Sequence, residues 1–292
     1  MNKVNALIIG AGRSGTTSLF AYLEQHPEIA CSITKEVHYF SVEDLYKRGE
    51  SYLHSLFESN NKKIIATADT YLLMDAIAPQ RIKLYNPDMK IIIMLREPVA
   101  RAYSNFNYSV NFGHEKEGIG FLETIALEKE RLQNLNNVDK NNQCHFYGSL
   151  YHQHISFWKK YFPMEQIIIL QLSDLKNNPE TLYYALCSKL GIKFQPFDKS
   201  AIGLNAASGA KSKWLQQLLL NRDNPVRKVL SFMLRPFRNL VIKSGFIDKI
   251  HAINKKKVAI KPLTMEEQAT AAQYFQHDLK LLAQEFGIIF KN

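Results

Sequence analysis

Cysteine is scarce in this chain of 292 residues, which carries only three, set far apart: Cys31, Cys144 and Cys187. An odd number at such spacing excludes a disulfide framework and a C-x-x-C metal pair, so we expect a reducing, cytoplasmic setting. Long hydrophobic runs are also lacking. The longest, such as residues 91–95 and 167–172, are strand-sized and far below the roughly 20 residues of a membrane span. The N-terminal apolar run ends in a Gly-rich turn, so we expect no signal peptide.

Acidic residues are outnumbered: 27 Asp and Glu stand against 37 Lys and Arg, which gives a formal net charge of +10. Such a charge calls for an anionic partner: a nucleotide, nucleic acid, an acidic glycan or a membrane surface. The excess is concentrated in residues 222–257, where ten basic residues face two acidic ones. Two interpretations of this basic stretch stay open: a solvated helical face, or a surface for an acidic polymer or an anionic membrane. Pro236 interrupts it, which predicts two helical pieces.

Apolar strands alternate with helices along most of the chain. Residues 4–9 are the first apolar run, and a Gly-rich turn leads from it into the helical pattern of residues 16–23. Further strands are predicted over residues 29–31, 63–66, 90–95 and 167–171, and further helices over residues 146–162 and 178–190. This order predicts an α/β fold, a P-loop-like three-layer α/β/α arrangement with a central parallel sheet. Residues 199–213 are predicted to be a loop, and the chain beyond them to be mainly helical.

Gly10 and Gly15, followed by Thr16 and Thr17, have the Gly-x-x-x-x-Gly spacing of a phosphate-binding loop. Glycines let successive N–H groups point inward, and the N-terminus of the following helix adds a partial positive charge. The hydroxyls of Thr16, Thr17 and Ser18 can add donors. The alternative is a tight strand–helix turn that holds no ligand.

The loop departs from that of the nucleoside triphosphatases. Those enzymes need Lys directly before the Ser or Thr, where this chain has Thr16, and the only cation in the loop is Arg13. They also need a carboxylate at the end of a neighbouring strand to hold magnesium, for which Asp69 is a candidate. A metal-free phosphate donor fits better. A P-loop kinase or NTPase-like phosphotransferase remains the alternative.

Arg96 is a second signal for phosphate, because it stands where the predicted strand over residues 90–95 ends. Ligands of open parallel sheets bind at this edge. Ser104 follows about two turns into the next helix, and a guanidinium fork and a hydroxyl can meet on one phosphate. The alternative is that Arg96 pairs with a nearby acid and Ser104 packs in the core.

Taken together, these segments resemble the sulfotransferases that use 3′-phosphoadenylyl sulfate (PAPS), over about residues 4–220. Residues 12–19 are similar to their 5′-phosphosulfate loop, and residues 95–104 to their 3′-phosphate site. Between these motifs, residues 26–28 and 35–40 resemble the carbohydrate, heparan-type branch. The resemblance continues through Gly148 and Tyr151 and through residues 157–163 and 173–179, and a weaker match covers residues 275–287. We therefore interpret residues 1–292 as a single sulfotransferase domain, with a core over about residues 4–220 and a basic helical extension over about residues 221–292.

The resemblance implies transfer of a sulfuryl group from PAPS, as co-substrate, to a hydroxyl or amine of a carbohydrate or glycolipid acceptor. The sequence has no paired Cys/His cluster, so we predict no metal, and we predict no nucleic-acid partner. Glu36 matches the catalytic base, His38 is the alternative base or a substrate contact, and Arg13 would stabilise the leaving group. The implied donor-binding residues are Arg13, Ser14, Gly15, Thr16, Thr17, Ser18, Arg96, Ser104, Tyr151 and, in a basic lid, Lys211.

Two departures from the family pattern bear on these roles. Many members carry Lys where this chain has Arg13, and arginine keeps the charge but cannot give up a proton. We therefore expect Arg13 to act electrostatically. Residues 66–72 lack the Glu that often precedes the aromatic residue in relatives, so the contacts made there are left open. A location at the inner membrane surface depends on which interpretation of the basic stretch holds.

Overall fold

A central parallel sheet organises the computed structural model, which describes residues 2–58, 61–116, 118–198, 208–210, 212 and 255–290. The strands are β1 (Ala6–Gly10), β2 (Ile29–Cys31), β3 (Ile64–Ala68), β4 (Lys90–Leu95) and β5 (Ile167–Gln171). Their spatial order is β2-β3-β1-β4-β5. Ala6 of β1 is in register with Ala66 on one side and with Lys90 on the other. The predicted α/β class with a parallel sheet is confirmed.

Helices fill the connections between these strands. In the described residues they are α1 (Thr16–Gln25), α2 (Glu43–Tyr46), α3 (Glu50–His54), α4 (Ala78–Tyr85), α5 (Pro98–Phe112), α6 (Glu123–Asn134), α7 (Asn137–Gln143), α8 (Tyr151–Lys159), α9 (Leu172–Asn177), α10 (Pro179–Leu190) and α11 (Met265–Phe286). Short 3-10 turns occupy Leu72–Met74, Tyr147–Ser149 and Met164–Gln166. The predicted helical C-terminus is confirmed by α11.

Alternation of side chains along the strands divides the core between the two faces of the sheet. Leu7 and Ile9 of β1 belong to the cluster under α4, α8 and α11. Ala6 and Ile8 belong to the cluster under α1 and α10. Successive strand residues point to opposite faces, so a strand that is apolar throughout is buried on both. This gives the predicted three layers.

The helix that follows β4 has strong local start and stop signals. The Glu97 side chain caps α5 by accepting from the amides of Val99 at 3.0 Å and Ala100 at 2.7 Å. Pro98 occupies the first turn, where its missing N–H has no intrahelical role. The helix ends at Gly113, whose φ of 77° lies in the left-handed region. These signals fix α5 directly behind Arg96.

Several predicted boundaries differ from the observed ones. The helix predicted over residues 146–162 begins at Tyr151, because the preceding residues form a 3-10 turn. Residues 208–210 were predicted to be a loop and residues 255–257 to be helical. Instead, β6 (Ser208–Ala210) and β7 (Lys255–Lys257) pair as an antiparallel ribbon. The two helical pieces predicted around Pro236 lie outside the described residues.

The C-terminal helix α11 packs on the core, against α5 and α8. Phe275 is wholly buried on this face. Asp278 accepts from the amides of His152 at 3.0 Å and Gln153 at 3.2 Å, and so caps the beginning of α8. No helix among the described residues is both long and apolar enough to cross a bilayer.

Candidate active site

The Gly-rich loop joins β1 to α1 at the carboxyl end of the sheet. Gly15 has a φ of 90°, and a Cβ at this position would lie 2.7 Å from the Leu172 side chain, so glycine is needed on both counts. Helix α1 has neither a side-chain cap nor an acidic residue in its first turn. The partial positive charge of its first amides is therefore available to an external anion.

The hydroxyl side chains of the loop differ in exposure. Thr17 is exposed, whereas Thr16 and Ser18 are almost completely buried and Ser14 is wholly buried. Of the predicted hydroxyl donors, Thr17 alone presents its side chain at the surface. The remaining loop positions can reach an anion through their backbone N–H groups.

The loop and the second phosphate motif lie together. Arg96 donates from Nη1 to the Arg13 carbonyl at 3.3 Å, and Arg13 donates from Nε to the Ser104 hydroxyl at 3.5 Å. Arg96 forms no ion pair with a carboxylate among the described residues, and its guanidinium donates to the backbone of the loop. The two segments that carry the predicted anion signals therefore lie side by side.

Positive charge is concentrated at this junction. Burial lowers the pKa of both the Arg13 and the Arg96 guanidinium, and the positive charge of Arg96 lowers the pKa of Arg13 further. Neither forms an ion pair with a carboxylate in the part of the chain that the structure describes. The Arg13 guanidinium lies over the Tyr108 ring, 4.8 Å from its centroid. Desolvated cations of this kind are stabilised by an anionic ligand.

Glu36 is held at the same edge of the sheet. Its amide and that of Val37 both donate to the Ala68 carbonyl at the end of β3, at 2.8 and 3.3 Å. The Glu36 carboxylate accepts from the Thr70 amide at 2.7 Å and from the Thr70 hydroxyl at 3.1 Å. It also forms an ion pair with Lys35, and its side chain is 28% exposed. Glu36 is therefore oriented by Thr70 while still open to solvent.

His38, two residues further, is held by different partners. Its Nδ1 lies 3.2 Å from a carboxylate oxygen of the buried Asp69. Its ring stacks on that of Tyr71, with centroids 4.8 Å apart and an interplanar angle of 26°. Tyr71 in turn lies close enough to Glu36 and Tyr108 for their charges to influence its pKa. The Tyr71 ring therefore lies close to both candidate bases, Glu36 and His38.

Backbone strain coincides with the candidate catalytic residues. Among the described residues, positive φ outside glycine occurs at Arg13 (71°), Glu36 (61°) and His38 (53°). Each costs of the order of 1–3 kcal/mol, and such residues persist where the surroundings over-determine them, characteristically at active sites. They are the same three residues that the sequence resemblance marks as catalytic.

Comparison with protein families agrees with this geometry. Residues 3–239 match the family model described as a sulfotransferase domain. This chain belongs to the sulfotransferase family. The resemblance to the carbohydrate branch is confirmed by relatives that are named as heparan sulfate sulfotransferases.

Human heparan sulfate glucosamine 3-O-sulfotransferase 6 is 28% identical to this sulfotransferase chain, over 66% of the chain and 54% of the relative. The bifunctional heparan sulfate N-deacetylase/N-sulfotransferase 1 of Caenorhabditis elegans is 29% identical, over 66% of the chain and 22% of the relative. The chain thus spans about half the length, or less, of these relatives. The crystal structure of a sulfotransferase from Alicyclobacillus acidocaldarius superposes with a TM-score of 0.68 at 21% identity, covering 99% of this chain and 98% of that one. It shows the same fold.

Tyr151 and Gly148, two positions of the family resemblance, both make contacts within the protein. Tyr151 is wholly buried, so it has no surface to offer a nucleotide, and its hydroxyl donates to the Arg96 carbonyl at 2.8 Å. It positions Arg96 instead. Gly148 leaves room for Arg101, because a Cβ there would lie 2.5 Å from the Arg101 Nη1.

Arg101 is the functional-site residue that sequence reasoning missed. It is 2% exposed and donates from Nε to the Gly12 carbonyl of the loop at 3.0 Å. Its Nη1 donates to the His145 carbonyl at 3.1 Å and to the Ser149 hydroxyl at 3.4 Å. Its presence in the motif over residues 95–104 was the available signal. It fixes the loop to the segment before α8.

Lys211, the predicted lid residue, lies outside the described residues. The strand directly before it, β6, lies against α5, the helix that carries Ser104. The neighbouring Tyr103 hydroxyl donates to the Lys261 carbonyl, so the chain after β7 also runs beside α5. The backbone on both sides of the basic segments therefore approaches the 3′-phosphate motif.

Proposed function

We propose that this protein transfers a sulfuryl group from PAPS to a hydroxyl or amine of a carbohydrate or glycolipid. The observation that carries the proposal is the junction of Arg13, Arg96 and Ser104, where two candidate anion sites lie side by side. PAPS has two separate anionic groups, a 5′-phosphosulfate and a 3′-phosphate. A single phosphate-binding loop would not need the second site.

The residues at the junction fit such a donor. The loop amides and Arg13 suit the 5′-phosphosulfate, because a helix N-terminus and a guanidinium both favour an anion. Arg96 and Ser104 suit the 3′-phosphate. Both guanidinium groups are partly buried without a carboxylate partner among the described residues, so the donor would supply the missing negative charge.

Arg13 would act on the leaving group. In the transfer, the acceptor oxygen or nitrogen forms a bond to sulfur while the bond from sulfur to the bridging oxygen breaks. The electron pair of the broken bond stays on 3′-phosphoadenosine 5′-phosphate (PAP). A fixed cation near the bridging oxygen is worth more as charge develops there, so it lowers the barrier. Arg13 does this without giving up a proton.

Glu36 would take the proton that the acceptor loses. Two donors from Thr70 fix its orientation, and its partly exposed carboxylate can meet an acceptor that enters from solvent. A positioned base of this kind contributes about 10²–10⁴-fold. His38, beside it, is the second group able to touch the acceptor.

The alternative phosphotransferase function is weakened by the contacts of Asp69. That carboxylate was the candidate for holding magnesium. One oxygen lies at His38 and accepts from the Tyr71 amide, and the other accepts from the Ser41 hydroxyl at 2.7 Å. Both oxygens are therefore committed to protein groups.

A carbohydrate acceptor is supported by the similarity of residues 35–40 to the heparan-type branch and by the names of the relatives. The acceptor experiment is a transfer assay with [35S]PAPS against heparosan-type glycans, glycolipids and simple phenols. We expect label on a sugar acceptor. Label on phenols alone would overturn the acceptor class while leaving sulfuryl transfer intact.

A cytoplasmic location is part of the proposal. All three cysteines are free thiols, and Cys144 and Cys187 are buried. Free thiols are typical of a reducing compartment. Fractionation of cells that express the protein tests this directly.

A further inference from the structure

The segment that follows β3 touches both candidate bases, although sequence comparison left its contacts open. Asp69 is anchored by its own amide, which donates to the Ile8 carbonyl of β1 at 2.9 Å. Thr70 binds Glu36, as described above. Asp69 faces His38, and Tyr71 stacks on the same imidazole.

Asp69 is a buried carboxylate with a full set of donors. It is 1% exposed. Burial raises its pKa, but the charge and hydrogen bond of His38, the Ser41 hydroxyl and the Tyr71 amide together lower it below its ordinary value. Asp69 is therefore ionised at neutral pH. An ionised carboxylate can only accept hydrogen bonds.

The ionised Asp69 thereby fixes one nitrogen of the His38 imidazole. Because Asp69 only accepts, the Nδ1 atom at 3.2 Å must carry a proton. Both the imidazolium and one of the two neutral tautomers carry this proton, so Asp69 excludes the neutral form that is protonated at Nε2 alone. The stack on Tyr71 and the left-handed backbone at His38 restrict the ring further.

We propose that Asp69 is a positioning residue that holds His38 with its proton on Nδ1 and so sets the edge of the imidazole that the acceptor meets. The inference rests on the proposed function, since it concerns the acceptor side of the same site. It gives the two candidate bases separate roles: Glu36 removes the proton and His38 orients the group that loses it.

If Asp69 only stabilised the fold, its loss would have the same effects as the loss of any other buried carboxylate. Asp75 is the matched control for this comparison. Asp75 is also a buried carboxylate close behind β3. It accepts from the amides of Ile77 and Ala78, both at 2.8 Å, and from the Asn137 side chain at 2.6 Å. It caps α4 and touches no candidate base. D69N and D75N each remove a buried carboxylate, but only D69N removes the partner of His38.

The first test is nitrogen NMR of the full chain labelled on histidine, with His38 assigned through H38Q. We expect the neutral His38 ring to be protonated at Nδ1. In D69N the imidazolium loses its counter-charge, so His38 should titrate at lower pH than in the parent chain, and D75N should not change this. Tyr71, which stacks on the ring, and the groups that influence Tyr71, namely Glu36 and Tyr108, are the same in both variants. A neutral ring protonated at Nε2 would overturn the inference.

The second test separates acceptor kinetics from donor binding. We expect D69N to lower kcat of the folded fraction by about tenfold or more, with PAP affinity unchanged and with a lower melting temperature, as for loss of any buried carboxylate. D75N should lower the melting temperature and leave kcat of the folded fraction intact. Equal kcat losses in both variants, or none in D69N, would reject the role of Asp69. Failure of the proposed function looks different: the parent chain itself would neither bind PAP nor transfer sulfate.

Discussion

Arg13 donates from Nε to the Ser104 hydroxyl over 3.5 Å, although the two residues are 91 positions apart in the chain. One belongs to the loop after β1 and the other to the helix after β4. Since β1 and β4 are neighbours in the sheet, the segments at their carboxyl ends must meet. The contact joins the two anion sites on which the proposed donor specificity depends.

Donor binding should not require a metal. We expect PAP to bind tightly in the presence of EDTA, because arginine side chains and backbone amides supply the positive charge at the site. Isothermal titration calorimetry measures this. Strong binding of Mg-ATP together with no binding of PAP would contradict the donor assignment.

Replacement of Arg96 or Ser104 by alanine should weaken PAP binding selectively. Each variant loses a charge-assisted hydrogen bond to the 3′-phosphate, at a cost of about 1.5–3 kcal/mol. Adenosine 5′-phosphosulfate, which has no 3′-phosphate, should bind the variants and the parent chain alike. Equal losses for both nucleotides would mean that the residues support the fold instead.

Glu36→Gln should lower the transfer rate by about 10²–10⁴-fold while donor affinity stays nearly intact. Lys35→Gln is the matched control, because it breaks the same ion pair and leaves the carboxylate in place. We expect a smaller loss for it. If the two variants behaved alike, Glu36 would be a surface partner of Lys35 and not a base.

Gly148→Ala should destabilise the protein, because the added Cβ would lie 2.5 Å from the Arg101 Nη1 in a buried site. Overpacking of this kind costs about 1–3 kcal/mol of the free energy of unfolding. Gly120→Ala is the control, since its Cβ would meet only the end of the Glu123 side chain, at 3.2 Å. Thermal melts that show no difference between the variants would contradict the tight packing around Arg101.

The basic stretch over residues 222–257 should act on the acceptor. Its net charge suits an acidic or membrane-presented acceptor, and each basic residue near such a surface contributes about 1 kcal/mol, screened by salt. We therefore expect glutamine at Arg235, Arg238, Lys255, Lys256 and Lys257 to raise the acceptor KM at low salt, with donor affinity unchanged. Unaltered kinetics would leave the stretch as a solvated face. A loss of donor affinity would instead link the basic stretch to the segment of Arg96 and Ser104. Strand β6 and the chain after β7 lie beside the helix that carries Ser104.

Local patterns in the sequence predict the sheet and the donor motifs. The strands are apolar runs with clear ends, and the loop after β1 has its glycines at fixed spacing. Arg96 and Ser104 follow from their places after β4. These features depend on residues close together in the chain, so a single sequence suffices to find them.

Contacts between distant segments are not predicted in this way. Arg101 is needed because Gly12 and the segment before α8 meet it in space, and Tyr151 is buried because its helix packs on the sheet. The pairing of Ser208–Ala210 with Lys255–Lys257 joins segments whose composition is typical of a loop and a charged helix. Asp69 has no local signal for His38. In each case the partner lies many residues away, and only the fold brings the two together.

The most direct test of the account is a single reaction with [35S]PAPS and a glycan acceptor in the presence of EDTA. The account predicts that the parent chain forms PAP and labelled glycan in equal amounts, and that Glu36→Gln forms almost none while still binding PAP. Absence of labelled acceptor across all acceptor classes, together with magnesium-dependent transfer of phosphate from ATP, would contradict it.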